Sequence, residues 1–567
     1  MDVYSIDNGK SNVCELLRQR CENILLSSSG NQRCLDIHLK ISINDVSNVA
    51  EILRDFYFED INIWNCNTDW EQHLKDMYDY SIPIFKKIKI DINDLFHLNY
   101  KENQVEIACN SSFYSKNCEE ELNKLSFFTN VGKGLVYGRD RMDIFLEKAG
   151  HPEKAYRIIQ IAGTNGKGSV SSYISGGLRS LGFKTGTFTS PHLVDIRERI
   201  VVNGEYIPVD DFVRLYYQVK DIIASIDKEI HGFNLGYFEY LQAMTLIYYV
   251  ECGIDVLVME TGLGGRHDSA TSLVNPDVCV LVSLGLDHTA ILGDTYEKIA
   301  YEKSGIMRDG ADVVSVYPDI NEEVNKAIED IYIKEAINNK CNLTWVYKNN
   351  IKSLTLKGGS IDFSLQNDYY KNVIFKLDTP AIYQAENASV ALTAIAVFLK
   401  RLGRNLNEQD ILNLQDALYK VHWSARMQCI GDGIYLDGAH NPEGIKRFVE
   451  SAGAITDGAH ATLVFSAVSD KNFGGMINTI VKSRVFSDYV ITELNNTSRA
   501  LDKDVIKNAF ILSGTADIEN HLIVENDVYA AIRNAIKYHN ELKCEENRYL
   551  FFVGSLYLAA IVEDLIQ

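Results

Sequence analysis

The eleven cysteines of this 567-residue chain are odd in number and include no C-x-x-C pair. Neither a disulfide framework nor a cysteine-rich zinc site is therefore expected, and reduced, mostly buried thiols are. No apolar run approaches the roughly 18 residues that a membrane span requires. The opening MDVYSIDNGKSNVCELLRQRC lacks a basic stretch followed by an apolar core, so no secretory leader is expected either. Positive charge is also short: 56 Lys and Arg against 77 Asp and Glu leave a formal charge of −21, which repels a phosphate backbone. The expectation is a cytoplasmic protein with neither nucleic acid nor membrane as a partner.

What is present is ordinary globular composition, 46% apolar and 23% charged, enough to bury cores without staples. The length implies two or three domains. Residues 1–125 hold only two glycines, Gly9 and Gly30, but six of the cysteines, and read as an extra α+β module of unassigned function. Within it CLDIHLKISI, from Cys34, alternates like a strand, and VSNVAEILRDFYF, from Val46, has helical spacing. The run Glu119, Glu120, Glu121 is expected on a solvated face or linker. From about Phe127 short apolar runs end in Gly-rich turns and lead into helical patterns, the grammar of a doubly wound, mainly parallel α/β sheet. A further change near Val421 introduces GIYLDGAHN, ATLVFSAVSD and YLFFVGSLYLAAI, consistent with a smaller Rossmann-like domain. The expected domains are thus residues 1–125, 126–421 and 422–567.

In such sheets ligands collect at the carboxyl ends of the strands. RIIQIAG runs into Ala162-Gly163-Thr164-Asn165-Gly166-Lys167-Gly168-Ser169, ahead of a helix expected from about Val170. Glycines let backbone N–H groups converge on phosphate oxygens, the helix N-terminus adds partial positive charge and Lys167 a full one, so a nucleoside triphosphate site is expected. The spacing is not the ordinary G-x-x-x-x-G-K-[ST], since two residues separate Gly163 from Gly166 and the hydroxyl follows an extra glycine. Farther on come Ser190 in TSPHL, Glu260 in ETGLGGRHD and His288 in GLDHT. Hydroxyl, carboxylate and imidazole at three strand ends could hold Mg²⁺ beside nucleotide phosphates. Lys303, in YEKSGI, follows fifteen residues after His288.

Taken in this order, the phosphate loop and these residues resemble the folylpolyglutamate synthase/dihydrofolate synthase family of Mur ligases, from roughly Leu135 to the C-terminus. The resemblance implies an ATP-binding Mur-ligase central domain with Lys167, Glu260, His288 and Lys303 as catalytic residues. It implies two Mg²⁺ sites built from Ser190, Glu260, His288 and Lys303, the lysine being carbamylated by CO₂, and it leaves room for K⁺. Gln384 and Asn387 resemble family residues near the adenine, and Arg426 and Asp437 residues reaching phosphates and ribose. His440 and Ser555 are candidates for recognising glutamate, and Phe238 and Asp268 for lining a pterin site. A helix cap for Asn387, a turn for Asp437 and Ser555, and a core position for Phe238 are the structural alternatives. Departures from the family pattern are Thr261 and His267, where an aliphatic residue is usual, and Trp423-Ser424-Ala425-Arg426 in place of Trp-Pro-Gly-Arg.

The implied reaction is ATP-dependent addition of L-glutamate to tetrahydrofolate, with dihydrofolate synthesis from dihydropteroate beside it, by a monomeric, ADP-forming ligase acting through an acyl phosphate. Two rivals are a Mur-type peptide ligase for a peptidoglycan precursor, which the GLGGR and SPHL strings disfavour, and a non-catalytic nucleotide-binding regulator. The latter would have no need of Lys167, Glu260, His288 and Lys303 together.

Overall fold

A computed structural model of the chain describes residues 4–5, 39–42, 96–101, 104–109, 111–125 and 138–566, apart from 273–275, 496, 515–517 and 543–546. The backbone divides into two units, Met1–Gly134 with Ile207–Tyr248, and Leu135–Tyr206 with Tyr249–Gln567. Among the described residues no helix is long and apolar enough to cross a membrane.

In the first unit β1 (Tyr4–Ser5), β2 (Leu39–Ser42), β3 (Phe96–Lys101) and β4 (Gln104–Cys109) form a sheet in the order β1-β2-β4-β3. The strand expected from Cys34 is present as β2, while its first residues and the helix expected from Val46 lie outside the described residues. Helix Ser111–Asn123 packs on helix Val209–Asp227, burying Cys118 and Leu122 completely or nearly so. Glu121 accepts hydrogen bonds from the Tyr216 hydroxyl and from Lys220 Nζ at 3.1 Å. Of the three glutamates expected on a solvated face, only Glu120 is exposed; amphipathic packing of the helix turns Glu121 toward its neighbour. Tyr216 in turn stacks on Tyr240 at 5.2 Å and accepts its hydroxyl through the backbone carbonyl at 2.6 Å.

The second unit is built on an eight-stranded sheet ordered β12-β11-β10-β5-β9-β6-β7-β8. Its strands are β5 (Arg157–Ala162), β6 (Thr185–Phe188), β7 (Ile200–Val202), β8 (Glu205–Tyr206), β9 (Val256–Glu260), β10 (Val278–Leu281), β11 (Asp312–Val316) and β12 (Asn342–Val346). The six from β12 to β6 are parallel, and β7 and β8 add an antiparallel edge. β9 and β10 are buried at every position, as strands covered on both faces must be, which is why they read as unbroken apolar runs. One face is covered by helices Lys167–Ser180 and Gln384–Arg401 through Ile174, Leu178, Ile395 and Phe398. The other is covered by residues 296–307 and 322–338 through Ala300, Ile306, Ile328 and Tyr332. A separate antiparallel sheet, β13 (Ile351–Lys357), β14 (Ser360–Gln366) and β15 (Lys371–Leu377), adds Phe363 and Phe375 to the first of these cores.

At the amino ends of the parallel strands, buried Asp277 accepts from Arg157 at 3.0 Å, from Arg401 at 3.3 Å and from the Ile158 amide at 3.2 Å, and Arg401 also reaches Asp312 at 3.2 Å.

The C-terminal sheet, ordered β16-β17-β21-β18-β19-β20, comprises β16 (Gln428–Gly431), β17 (Ile434–Leu436), β18 (His460–Phe465), β19 (Asp488–Thr492), β20 (Leu522–Glu525) and β21 (Arg548–Val553). All pairings but β16 with β17 are parallel. Phe448, Phe486 and Phe551 cluster on one face, with ring centroids 5.7–5.9 Å apart, joined there by Ala381 and Tyr383 from the preceding segment, and Leu550, Phe552, Ile532 and Leu558 pack on the other, with Leu193 against them.

Candidate active site

β5 ends at Ala162, and the chain turns through Gly166, whose left-handed φ of 95° makes it the N-cap of a helix that begins at Lys167. The helix thus starts three residues before Val170. The segment after β10 holds the loop: Thr164 N donates to Ser283 O at 2.8 Å, Thr164 Oγ1 to Gly285 O at 3.1 Å, and Ser283 Oγ to Asn165 O at 2.9 Å. A Cβ at Gly166 would lie 2.5 Å from Asn387 Oδ1, and one at Gly168 would lie 2.7 Å from the Trp423 ring. Close approach favours glycine at both positions, and at Gly166 the left-handed backbone does so as well.

Lys167 Nζ lies 3.6 Å from Glu260 Oε1 and donates to Thr164 O at 3.3 Å. Glu260, at the end of β9, is 2% exposed, and its other oxygen accepts from the Ser190 amide at 3.2 Å. Burial raises its pKa although Lys167, the Ser190 amide and Arg426 all oppose the rise. His288, left-handed at φ 52°, caps the short helix Thr289–Leu292. Burial lowers its pKa, with Asp287 pulling the other way.

Lys303 is 5% exposed, so it is not a surface lysine, and its Nζ donates to Gly163 O at 2.7 Å. Burial first, then the charge of Lys167, brings its pKa down to about 7. Its helix, Tyr296–Ser304, is held against the loop after β9 by Arg266 N donating to Glu302 O at 2.8 Å, and the Arg266 guanidinium lies 3.9 Å over the Tyr301 ring.

The other expected residues are placed as follows. Gln384 opens helix Gln384–Arg401, whose cap is Tyr383, so Asn387 lies inside the helix rather than at its end. Gln384 Nε2 donates to Ser169 Oγ at 3.2 Å and Asn387 Nδ2 to Gln384 Oε1 at 2.9 Å, which brings both side chains onto the phosphate loop. Buried Asp437 accepts from Ala439 N, Met427 N and the Tyr383 hydroxyl, each at 2.8 Å, and so shapes its own turn while tying the hinge segment to β17. Arg426 Nη1 donates to Ala425 O at 2.8 Å. Asp268 receives Leu263 N at 2.7 Å and Ala270 N at 2.9 Å, folding the loop on which it sits. Ser555 is 1% exposed and its Oγ accepts from Tyr557 N at 3.1 Å. His440 Nδ1 faces Gly438 O at 2.8 Å, and burial lowers its pKa to about 4. Phe238 is half-buried on helix Tyr237–Cys252 and belongs to the first unit.

Sequence reasoning missed four residues that the structure brings to this region: Trp423 against the loop helix, and Asn441, Asp287 and Lys471. Lys471 Nζ pairs with Asp287 Oδ1 at 2.6 Å. Asp287 and Asn441 each sit inside a string already singled out, one place from His288 and from His440, and that adjacency was the available signal.

Residues 211–395 match the Mur ligase middle domain and residues 425–555 the Mur ligase glutamate ligase domain. The chain is 30% identical over 367 residues to the folylpolyglutamate synthase of Lacticaseibacillus casei, covering 64% of this chain and 82% of that one. It is 32% identical over 358 residues to the dihydrofolate synthase/folylpolyglutamate synthase of Bacillus subtilis, covering 61% and 79%. This chain belongs to that family. Its fold is shared with the Mycobacterium tuberculosis folylpolyglutamate synthase solved with ADP and AMPPCP, at a TM-score of 0.71 and 23% identity over 81% of this chain and 99% of that one. The Thermotoga maritima folylpolyglutamate synthase aligns at 0.62 and 28% identity, over 81% and 97%.

Among the described residues no three His, Cys, Asp or Glu side chains form a metal cluster. The donors at hand for this family member are instead a serine hydroxyl, one carboxylate and one imidazole. They suit Mg²⁺, which keeps several water or phosphate oxygens and takes few protein ligands. Glu260 supplies the decisive observation, since it is a buried carboxylate that a nearby cation would stabilise in its ionised form.

Proposed function

We propose that this chain joins L-glutamate to a folate carboxylate, driven by cleavage of ATP to ADP and phosphate. The observation that carries the reading is Lys167 held 3.6 Å from the buried Glu260 at the opening of the phosphate loop, in a chain of this family. The acceptor carboxylate attacks the γ-phosphorus, the bond to the β,γ-bridging oxygen breaks, and ADP leaves an acyl phosphate. The glutamate amine then attacks the acyl carbon, the C–O bond to phosphate breaks, and the amine loses a proton as the amide forms. Lys167 and the loop N–H groups meet the charge on the transferred group, so this chain contributes mainly position and electrostatics. Neutral His440, its Nδ1 committed to Gly438 O, offers Nε2 to the incoming ammonium, with Ser555 as the second glutamate contact.

Ser190, Glu260 and His288, with Lys303 as a carbamate, are the residues that would hold two Mg²⁺ ions, which when bound neutralise phosphate charge. A buried lysine with a pKa of about 7 supports carbamylation, because only the neutral amine adds CO₂. K⁺ is proposed as a further ion. Gln384, Asn387, Arg426 and Asp437 are proposed to border the nucleotide, and Phe238 and Asp268 the pterin. We further propose that the enzyme uses both dihydropteroate and tetrahydrofolate, as a cytoplasmic monomer without nucleic-acid or membrane partners.

The test is ATP-dependent incorporation of labelled glutamate, run with dihydropteroate and with tetrahydrofolate, in Mg²⁺ and bicarbonate. Product with both acceptors supports the bifunctional reading, and product with tetrahydrofolate alone narrows it to chain extension. Product with neither, while ATP still binds, overturns it and brings the peptide-ligase and regulator readings to the front.

A further inference from the structure

The side-chain amide of Asn441 is 2% exposed and is saturated by partners from three parts of the chain. Its Oδ1 accepts from Asn165 Nδ2 of the phosphate loop at 3.1 Å and from Gly444 N of its own helix at 2.8 Å. Its Nδ2 donates to Asn165 Oδ1 at 3.0 Å and to Asp287 Oδ2 at 3.3 Å. Asn165 and Asn441 thus form a reciprocal amide pair across 276 positions of sequence, and Asp287 joins it from the loop after β10. Only an amide meets these demands: a carboxylate would lose both donors and face Asp287, and a hydroxyl could not return the second bond to Asn165.

The surroundings make this contact the centre of a seam between the two parallel sheets of the second unit. Lys471, from the loop after β18, neutralises Asp287 at 2.6 Å. Glu443, two residues after Asn441, accepts the Tyr296 hydroxyl at 2.8 Å, while its second oxygen is buried without a partner. Tyr296 opens the helix that carries Lys303. The C-terminal domain therefore touches the phosphate loop, the loop next to His288 and the helix bearing Lys303 through the N-cap and first turn of helix Pro442–Thr456, with Lys471 as a second contact to Asp287.

We infer that Asn441 is a positioning residue that sets Asn165, and through it the phosphate loop, in its working geometry only when the C-terminal domain is docked. Acyl phosphate made before docking is exposed to water, which hydrolyses it at the carbonyl to return the acceptor carboxylate and free phosphate. Tying the loop to the docked domain confines phosphoryl transfer to the state in which the amine can be captured. Asn441 touches none of the three substrates in this account. The inference rests on the ligase reading above and assigns it a coupling element.

Asn441→Ser separates this role from a merely structural one. Serine keeps the N-cap of the helix but lacks the donor to Asp287 and the reciprocal bond to Asn165. In full-length protein, with ATP, tetrahydrofolate and labelled glutamate, wild type should form about one ADP per glutamate incorporated. Asn441→Ser should lower kcat for incorporation roughly tenfold, the worth of one to two hydrogen bonds, raise ADP formed per glutamate to about three or more, and leave the melting temperature near wild type. Asn165→Ala combined with Asn441→Ser should be no worse than Asn165→Ala alone. Wild-type coupling and kcat in Asn441→Ser, or additive losses in the double variant, would overturn the inference. A wild-type protein that incorporates no glutamate would instead defeat the ligase reading itself.

Discussion

The two ends of the eight-stranded sheet have the same parallel strands between them and opposite electrostatic characters. At the amino end Asp277 is surrounded by Arg157, Arg401 and a backbone amide, so that each of these three charges has a partner. At the carboxyl end Glu260 is buried with its pKa raised, Lys303 is buried with its pKa lowered, and His288 takes a left-handed backbone. Charges are held there at a cost that Lys167, the Ser190 amide and Arg426 offset only in part at Glu260, as is expected where a phosphate and a cation belong. One end is organised for stability and the other for chemistry.

Lys167→Ala should give the largest effect, a loss of roughly 10³-fold or more in ADP formation, with little change in melting temperature. Near-normal turnover would erase the functional character of the carboxyl end. Gly168→Ala follows, since its Cβ would come 2.7 Å from the Trp423 ring; a displaced loop should reduce kcat/KM for ATP roughly 10²-fold. The converse experiment is Asp277→Ala. It should cost about 2–3 kcal/mol in urea unfolding, because Asp277 is buried while Arg157 is 60% exposed and loses little, and should leave kcat within about twofold. A large drop in kcat in that folded variant would merge the two ends.

A smaller effect concerns His440, whose pKa of about 4 lies below its ordinary 6.5 because of burial and, next, Lys471. Between those values the unfolded chain binds the proton more readily, so this group makes stability fall as pH drops from 6.5 toward 4. His440→Gln should flatten that part of a stability profile; an unchanged slope would mean that other groups set it. The smallest effect is expected at Ala425, a non-glycine at φ 53° in the hinge segment. Ala425→Gly should raise stability by about 0.5–1 kcal/mol through relief of left-handed strain, read as a higher melting temperature.

The carboxyl end was legible in the sequence because its residues lie within short strings at the ends of apolar strands, β9 and β10 and, interrupted by Gln160, β5. The helix start was displaced by three residues because Gly166 caps it in a left-handed conformation that no periodicity reports. The β13–β15 sheet escaped notice although Gly358-Gly359 is a two-residue hairpin signal; β13 is mostly exposed and lacks clean alternation. Asn441 could not be assigned from sequence, since its partners Asn165 and Asp287 lie 276 and 154 positions away. The amino-end network escaped for the same reason, with Arg157 and Arg401 standing 120 and 124 positions from Asp277.

The strand order has a consequence for synthesis. β5, which carries the phosphate loop, lies between β9 and β10, both made about a hundred residues later, and Thr164 is pinned by Ser283 and Gly285. During vectorial translation the contiguous motif from Gly163 to Ser169 therefore leaves the ribosome long before anything can hold it in shape. Its nucleotide affinity should appear abruptly once the chain passes about residue 285 and has room to fold, so that a stretch readable in seven letters is among the later features of the nascent protein to mature.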